Sequence, residues 1–330
     1  MNKLLTVHNL STKFKTERGI AHAVRFVNFS IDVGEIMGLV GESGSGKSVT
    51  AKSIMRLIDR SKGQISGKIL LEGEDLLLKK EKEMQSIRGN SVSMVFQDPM
   101  SSLNPLYSVG EQIAEVYRYH KKMNKKAAKE ATIRLMEQIG IPAAEKRYSQ
   151  YPHEFSGGML QRIMIAIALA CNPKLLIADE PTTALDVTIQ AQILRLLKRL
   201  QGEFDMGILM ITHDLGVVAE ICDRVSVMYA GEIVESGDVE TIFQAPMHPY
   251  TLGLIASIPK LGSKAKMLSP IEGAPPDLHG ELKGCPFAER CAYKTDLCLE
   301  KSPELREVEE KHSVACHHVE SIFQQGRQYA

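Results

Sequence analysis

The chain has 330 residues, which exceeds one ordinary domain and is long enough to bury a large core. Its 40 Lys and Arg residues balance 40 Asp and Glu residues, so no net positive field indicates a nucleic acid or an anionic lipid as partner. No segment approaches the roughly 18 uninterrupted apolar residues of a membrane span, and the amino-terminal stretch lacks the features of a secretion signal. We therefore expect a cytosolic chain that does not span a membrane by itself, and its motifs must indicate its partners.

The first half of the chain predicts strands and then helices. Apolar and polar residues alternate through LLTVHNLSTKF and AVRFVNFSIDV, which predicts two strands joined by a turn at 17–19. The stretch EIMGLVGESGSGKSVTAKSIMRLI predicts a short buried strand, a glycine loop and a helix. Residues 65–97 predict mixed strands and a charged helix before the strand SVSMVF, and residues 98–170 have helical spacing.

The second half predicts a βαβ unit and then a less regular tail. LLIADE and GILMIT read as buried strands on either side of a helix in TIQAQILRLLKRLQGEF, and RVSVMYAGEIVESG reads as a hairpin that closes the large domain. Beyond about residue 245, frequent Pro and Gly predict a linker into a small cysteine-bearing appendix. The predicted domains are therefore 1–245 and 246–330.

The predicted glycine loop matches the pattern G-x-x-x-x-G-K-[ST] between a strand and a helix, the context that this pattern requires. Its glycines allow backbone N–H groups to wrap phosphates, Lys47 reaches the β- and γ-phosphates, and the Ser48 hydroxyl ligates Mg²⁺. The alternative is a flexible glycine turn, which the flanking elements disfavour. The residues predicted to bind ATP here are Gly41, Ser43, Gly44, Ser45, Gly46, Lys47, Ser48 and Val49.

Two carboxylates follow the buried strand LLIADE. Asp179 suits the shell of the same Mg²⁺ ion, and Glu180 suits a base that polarises the attacking water. An Asp-Glu pair at a strand end is common, so the pair indicates a catalytic site only because it follows a phosphate-binding loop. Together the two motifs predict a P-loop NTPase.

Further motifs narrow this class. Gln97 follows the strand SVSMVF, FSGGM at 155–159 precedes Gln161 and Arg162, ALD occupies 184–186, and His213 ends the strand GILMIT. In this order and at these intervals, over roughly residues 4–245, the motifs resemble the Q-loop, signature, D-loop and switch histidine of ABC ATPases. The resemblance implies an α/β fold: a P-loop NTPase (ABC ATPase) core with an antiparallel β subdomain and a helical subdomain at about 98–170, plus a small C-terminal metal-binding appendix.

The resemblance also implies a shared nucleotide site. ATP would be sandwiched between the P-loop of one subunit and the signature of another, where glycines again expose N–H groups at a helix start. His213 would contact the γ-phosphate, and Gln97 would contact Mg²⁺ and water. Phe14 would stack on adenine, with His22 as an alternative contact and ordinary core packing as an alternative role for Phe14. The signature and D-loop residues implied at the nucleotide are Ser156, Gly157, Gly158 and Asp186.

Four longer segments are similar in sequence to the corresponding segments of peptide-importer ATPases. They are FQDPMSSLNP, HEFSGGMLQR, ADEPTTALDVTIQAQIL and HPYTLGLIASIP. That resemblance implies an ATPase at the cytoplasmic face of the membrane, working with a second ATPase subunit (a paralogue or itself), two transmembrane permease subunits and, indirectly, an extracytoplasmic peptide-binding protein. The ATPases of nickel importers share much of this sequence, so nickel import remains an alternative. A soluble ABC ATPase and a nucleotide-binding module without hydrolysis are further alternatives; retention of Glu180 and His213 argues against the last.

Four of the six cysteines lie near the carboxyl end, at Cys285, Cys291, Cys298 and Cys316. Their spacing differs from the common zinc ribbon, and four thiols in a cytosolic chain favour a soft metal or an iron–sulfur cluster over disulfides. The pattern is similar to the tail of dipeptide-importer ATPases, which implies that these cysteines hold a [4Fe–4S] cluster. Zinc is the main alternative because three histidines lie close by, at His312, His317 and His318, and free or oxidised thiols are the remaining one.

Overall fold

The computed structural model describes residues 3–183, 185–257, 271–280 and 282–326. The chain forms two compact units, each assembled from separate parts of the sequence. The first contains residues 3–5, Ile31–Glu35 and Asp75–Ile211, and the second contains Thr6–Ser30, Ile36–Glu74 and residues 212–326. The domain boundary expected near residue 245 stays a prediction.

The elements follow the predicted order. The strands are β1 (Lys3–Thr16), β2 (Gly19–Asp32), β3 (Ile36–Val40), β4 (Gly63–Leu71), β5 (Glu74–Asp75), β6 (Val92–Val95), β7 (Leu175–Asp179), β8 (Gly207–Thr212), β9 (Arg224–Tyr229), β10 (Glu232–Asp238), β11 (Arg306–Glu309) and β12 (His312–Val314). The helices are α1 (Lys47–Ile54), α2 (Glu81–Ile87), α3 (Pro99–Ser102), α4 (Val109–His120), α5 (Lys125–Gln138), α6 (Ala144–Arg147), α7 (Gly157–Leu169), α8 (Val187–Phe204), α9 (Leu215–Ile221), α10 (Val239–Gln244), α11 (Pro249–Ala256), α12 (Asp296–Glu300) and α13 (Val319–Gly326). The predicted strand–loop–helix, βαβ unit and closing hairpin are confirmed.

The first unit combines three parallel strands with a group of helices. Strand β7 pairs in parallel with both β6 and β8, and all five of its residues are buried. Helix α8 connects β7 to β8, as the apolar runs on either side of it predict. Helices α3 to α7 fill the predicted helical stretch. Within the described ranges, no helix is both long enough and apolar enough to cross a bilayer.

The second unit joins the glycine-loop strand to the carboxyl-terminal tail. Strand β3 runs parallel to β9, which forms an antiparallel hairpin with β10. Strand β12 then pairs antiparallel with β10, with Val314 opposite Glu235, and β11 pairs with β12. The sequence suggested a linker and a separate appendix; in the structure the tail also extends a sheet of this unit, because β12 covers the edge that β10 would otherwise expose. Strands β1, β2, β4 and β5 form a second sheet in the order β2-β1-β4-β5.

A buried carboxylate fixes the tail to β10. Glu235 has no exposed surface, and its oxygens accept the backbone N–H groups of Met247 (2.6 Å) and His248 (3.0 Å). Nε2 of His312 in β12 lies 2.8 Å from the same carboxyl group and acts as its third donor, since a carboxylate oxygen only accepts. Three donors from distant positions therefore meet at a single buried acid.

We predict that Glu235→Ala destabilises the chain by about 3–5 kcal/mol, because three buried donors would lose their acceptor. Denaturant unfolding followed by circular dichroism measures this loss. Glu240→Ala, at an exposed acid on the neighbouring helix α10, is the matched control and should change stability by less than about 0.5 kcal/mol. Equal stability of the two variants would contradict the role given to Glu235.

Candidate functional site

The glycine loop of the second unit turns between β3 and α1 through conformations that favour glycine. Gly41, Gly44 and Gly46 have φ values of 155°, 80° and 105°. A Cβ atom at Gly41 would lie 2.1 Å from the carbonyl oxygen of Met228, and one at Gly46 would lie 2.5 Å from that of Ala23. Gly46 is also the residue immediately before α1, so its conformation sets where the helix N-terminus points.

Lys47 begins α1 and its side chain turns back over the loop. The residue is only 5% exposed. Its Nζ donates to the carbonyl oxygens of Gly41 (2.7 Å) and Glu42 (2.8 Å) and to Oγ of Ser45 (3.3 Å). The ammonium is therefore held beside the backbone N–H groups at the start of α1, where an anion is favoured.

The catalytic candidates of the first unit lie at the ends of neighbouring parallel strands. Asp179 is the buried last residue of β7, and Glu180 follows it with a φ of 49°. Oε2 of Glu180 accepts hydrogen bonds from Nε2 of Gln97 (2.9 Å) and Oγ1 of Thr183 (2.9 Å). The structure thus brings Gln97 and Glu180 together, although 83 positions separate them. No motif in the sequence indicates Thr183, which donates to the same carboxylate.

The signature residues occupy the start of α7. Ser156 immediately precedes this helix, and both Ser156 and Gly157 are exposed. Gly158 has no room for a side chain, because a Cβ atom there would lie 2.7 Å from Cγ2 of Ile189 in α8. Asp186 caps α8 by accepting the N–H of Ile189 at 2.9 Å. Ala184 of the predicted D-loop lies outside the described residues.

Three other residues predicted to contact the nucleotide lie in the second unit. Phe14 is half-buried on β1, and a Cβ atom at Gly63 would lie 3.1 Å from its ring. His213 is an exposed residue directly after β8 and before Asp214, which caps α9 by accepting the N–H of Gly216. The backbone N–H of His22 donates to the carbonyl oxygen of Leu278 at 2.9 Å. The roles of Phe14, His22 and His213 at the nucleotide stay predictions.

The four tail cysteines line one cavity. Their neighbours in its wall include His248, Phe287, Ala288, His317 and His318. Backbone N–H groups of Tyr293 and His318 point at Sγ of Cys291 and Cys316, each at 3.4 Å. Nε2 of His318 lies 3.5 Å from Sγ of Cys298. The cysteines that the sequence separates by up to 31 positions therefore face a common space.

Burial sets the protonation of this cavity. It raises the pKa of Cys285 to about 12 and that of Cys316 to about 11, and it also raises the pKa of Cys291. Burial lowers the pKa of His248 to about 4, so this imidazole is neutral at physiological pH. In the part of the chain that the structure describes, no three His, Cys, Asp or Glu side chains are grouped closely enough to hold a single metal ion. The thiols line the cavity but do not converge on one point.

Comparison with known proteins gives the family. The ABC transporter family model matches residues 24–183, and the model of the oligopeptide/dipeptide transporter C-terminal region matches residues 234–298. The oligopeptide transport ATP-binding protein OppD of Bacillus subtilis is 55% identical over 316 residues, covering 95% of this chain and 88% of that protein. The chain belongs to the ATP-binding subunits of oligopeptide and dipeptide ABC importers. Subunits of this family hydrolyse ATP to power transport, and this is the function of the chain.

Other relatives agree with this family assignment. The dipeptide transport ATP-binding protein DppD of Bacillus subtilis is 50% identical over 317 residues, covering 96% of this chain and 95% of that protein. A bacterial ABC transporter cassette solved as a dimer shares 27% identity with a TM-score of 0.64, covering 71% of this chain and 98% of that chain. The ABC ATPase fold expected for this peptide-importer subunit is confirmed.

Proposed function

We propose that the glycine loop binds the phosphates of ATP and that Glu180 polarises the attacking water. The carboxylate of Glu180 is held by two side-chain donors beside a buried strand end, and this observation carries the catalytic assignment. A carboxylate fixed in this way can accept a proton from a water, which is the step proposed for Glu180. Gln97 holds this base through its hydrogen bond to Oε2 and would therefore be sensitive to a water that binds to Glu180.

Mg²⁺ accompanies ATP in this proposal. The Ser48 hydroxyl at the start of α1, the Asp179 carboxylate and the Gln97 amide offer the hard oxygen ligands that Mg²⁺ prefers. When bound, the ion would offset the negative charge of the β- and γ-phosphates. The ammonium of Lys47, which is held at the glycine loop, would also offset the charge of these phosphates.

We infer that a second ATPase subunit completes the nucleotide site. The start of α7 is the N-terminus of a 13-residue helix, and its exposed Ser156 and Gly157 leave backbone N–H groups open to an approaching phosphate. The solved dimer of a related ABC cassette supports this arrangement. In the proposed cycle, ATP closes the pair, and closure drives two transmembrane permease subunits that receive a peptide from an extracytoplasmic binding protein.

The proposed location of the subunit is the cytoplasmic face of the membrane, where it binds the permease peripherally. Short peptides are the proposed cargo, with dipeptides favoured by the four-cysteine tail. The match of residues 234–298 to an oligopeptide/dipeptide transporter C-terminal region supports peptides as the substrate class.

We predict that Glu180→Gln lowers ATP hydrolysis by the reconstituted importer by about a hundredfold or more, because an amide cannot take up the proton. Mg·ATP affinity should stay within about threefold of the wild-type value, since the amide has the same shape as the carboxylate and does not alter the glycine loop. Glu203→Gln, at an exposed acid of α8, is the control and should hydrolyse ATP normally. Equal and nonzero rates in wild type and Glu180→Gln would remove Glu180 from the mechanism.

We also propose that the cysteine cavity holds a [4Fe–4S] cluster. Four thiols around a shared, largely apolar space match the ligand set of such a cluster, in which each cysteine binds a different iron. N–H groups that point at two of the sulfurs support this assignment, because such bonds stabilise bound thiolates. The raised pKa values of Cys285 and Cys316 mean that cluster binding releases protons and tightens as the pH rises.

Anaerobic purification tests the cluster. We expect a brown protein with about four iron and four sulfide ions per chain, and loss of this colour in Cys291→Ser. Cys171→Ala removes a buried cysteine of the first unit and should keep the colour. A colourless anaerobic protein with one zinc ion per chain would replace the cluster by a zinc site.

A further inference from the structure

We propose that Arg290 and Tyr250, both in the carboxyl-terminal region, are positioning residues of the nucleotide site. Together they hold the glycine loop at Glu42, and Arg290 neutralises the carboxylate that the loop carries beside its phosphate-binding backbone. The proposal rests on the assignment of residues 41–49 as the phosphate-binding loop. It adds a function to the tail that is separate from its cysteines.

Arg290 makes a two-point ion pair with the loop. Its Nη1 lies 2.7 Å from Oε2 of Glu42 and its Nη2 lies 3.1 Å from Oε1, the parallel geometry that suits a guanidinium and a carboxylate. The Arg290 side chain is only 5% exposed and that of Glu42 is 29% exposed. This pair is shielded from solvent far more than an ordinary surface pair, so it loses less strength to water and salt.

The remaining donors of Arg290 fix its direction. Nε donates to the carbonyl oxygen of Glu272 (2.9 Å) and Nη2 donates to that of Ile271 (3.0 Å). Nη1 also lies 3.3 Å from Oη of Tyr229, and the guanidinium lies over the rings of Tyr229 and Phe287. The guanidinium is therefore set before any nucleotide arrives, and little side-chain freedom is lost when the site is used.

Tyr250 holds the same loop residue by its backbone. The N–H of Glu42 donates to Oη of Tyr250 at 2.8 Å. Tyr250 is fully buried at the start of α11, where its own N–H donates to Nδ1 of His248. Its ring packs against those of Tyr229 and Phe287, with centroids 4.6 and 5.5 Å apart. The N–H of Glu42 is thus engaged by the tail, so the N–H groups left for phosphate are those further along the loop.

The charge of the loop explains why Arg290 matters for an anionic ligand. Residues 41–49 contain one acid, Glu42, and one base, Lys47, so by themselves they carry no net charge. ATP brings several negative charges to this segment, and an unpaired Glu42 carboxylate would repel them. Arg290 offsets this carboxylate, so that the carboxylate no longer opposes the attraction of the phosphates to the N-terminus of α1.

The residues that contact Glu42 are close in the chain to residues of the cysteine cavity. Arg290 ends a single turn at 288–290, and its neighbours Ala288 and Cys291 line the cavity. His248, which caps α11 by accepting the N–H of Tyr250, lines that cavity as well. Arg290 and Tyr250 are therefore each within two positions of a residue in the cavity wall.

Mg·ATP affinity of the full chain tests the proposal. We expect Arg290→Met to weaken binding about tenfold, equivalent to about 1.4 kcal/mol, because it uncovers the Glu42 carboxylate. Adding Glu42→Gln to that variant should restore the affinity to within about threefold of wild type, since the repulsive charge is then absent. A purely structural role of Arg290 would not produce this rescue. Lys294→Met, which breaks an exposed pair with Glu289 in the same region, is the control and should bind normally.

Two outcomes would overturn the proposal: Arg290→Met binding Mg·ATP like wild type, or no recovery in the double variant. If Arg290→Met does not fold, Arg290→Lys keeps a cation without the two-point contact, and its expected loss is about threefold, again removed by Glu42→Gln. Lys47→Ala separates this inference from the loop assignment. Normal Mg·ATP binding by Lys47→Ala would contradict the assignment itself, whereas its loss together with normal binding by Arg290→Met would contradict only the role of Arg290.

Discussion

The proposed nucleotide site depends on one backbone constraint, the turn between β3 and α1. Gly41 and Gly46 pass close to the carbonyl oxygens of Met228 and Ala23, where any side chain would collide. That closeness directs the first turn of α1 and lets Lys47 reach back to the loop carbonyls. Every role proposed for ATP binding in this unit assumes this turn, because it aims the N–H groups and the ammonium at one place.

The carboxyl-terminal tail contributes to this site through the core of the second unit. Its aromatic residues Tyr250 and Phe287 pack on Tyr229 of β9, the strand beside β3. Burial raises the pKa of Tyr250, so its hydroxyl stays protonated, and its oxygen accepts the N–H of Glu42. The pairing of β12 with β10 and the buried Glu235 hold the rest of the tail against this core. The tail is therefore part of the framework under the glycine loop.

Local patterns in the sequence predict most of the elements. Alternation identifies β1 and β2, the glycine loop identifies the β3–α1 turn, and the apolar runs identify β7, α8 and β8. Motif order also predicts that Gln97 and Glu180 both act at the nucleotide, and the structure places Nε2 of Gln97 2.9 Å from Oε2 of Glu180. Such features are predictable because strand ends and helix starts are set by residues adjacent in the chain.

Contacts between distant positions are not predictable in this way. Arg290 meets Glu42 across 248 positions, and no pattern near either residue predicts that they are in contact. The HPYT segment served only as a family marker in the sequence, whereas the structure gives its tyrosine a contact with the glycine loop. The cysteine spacing likewise suggested a shared ligand but could not place His248 in the same cavity wall. These features depend on how the tail packs, which periodicity does not encode.

The most direct test of the central claim is the Mg·ATP dissociation constant of Gly46→Ala. The new Cβ atom would lie 2.5 Å from a backbone oxygen and the residue would keep a φ of 105°, so the start of α1 must move. We predict binding weakened by about a hundredfold or more, while Gly202→Ala, in open space on α8, binds like wild type. Wild-type affinity in Gly46→Ala would show that the geometry of this turn does not create the ATP site.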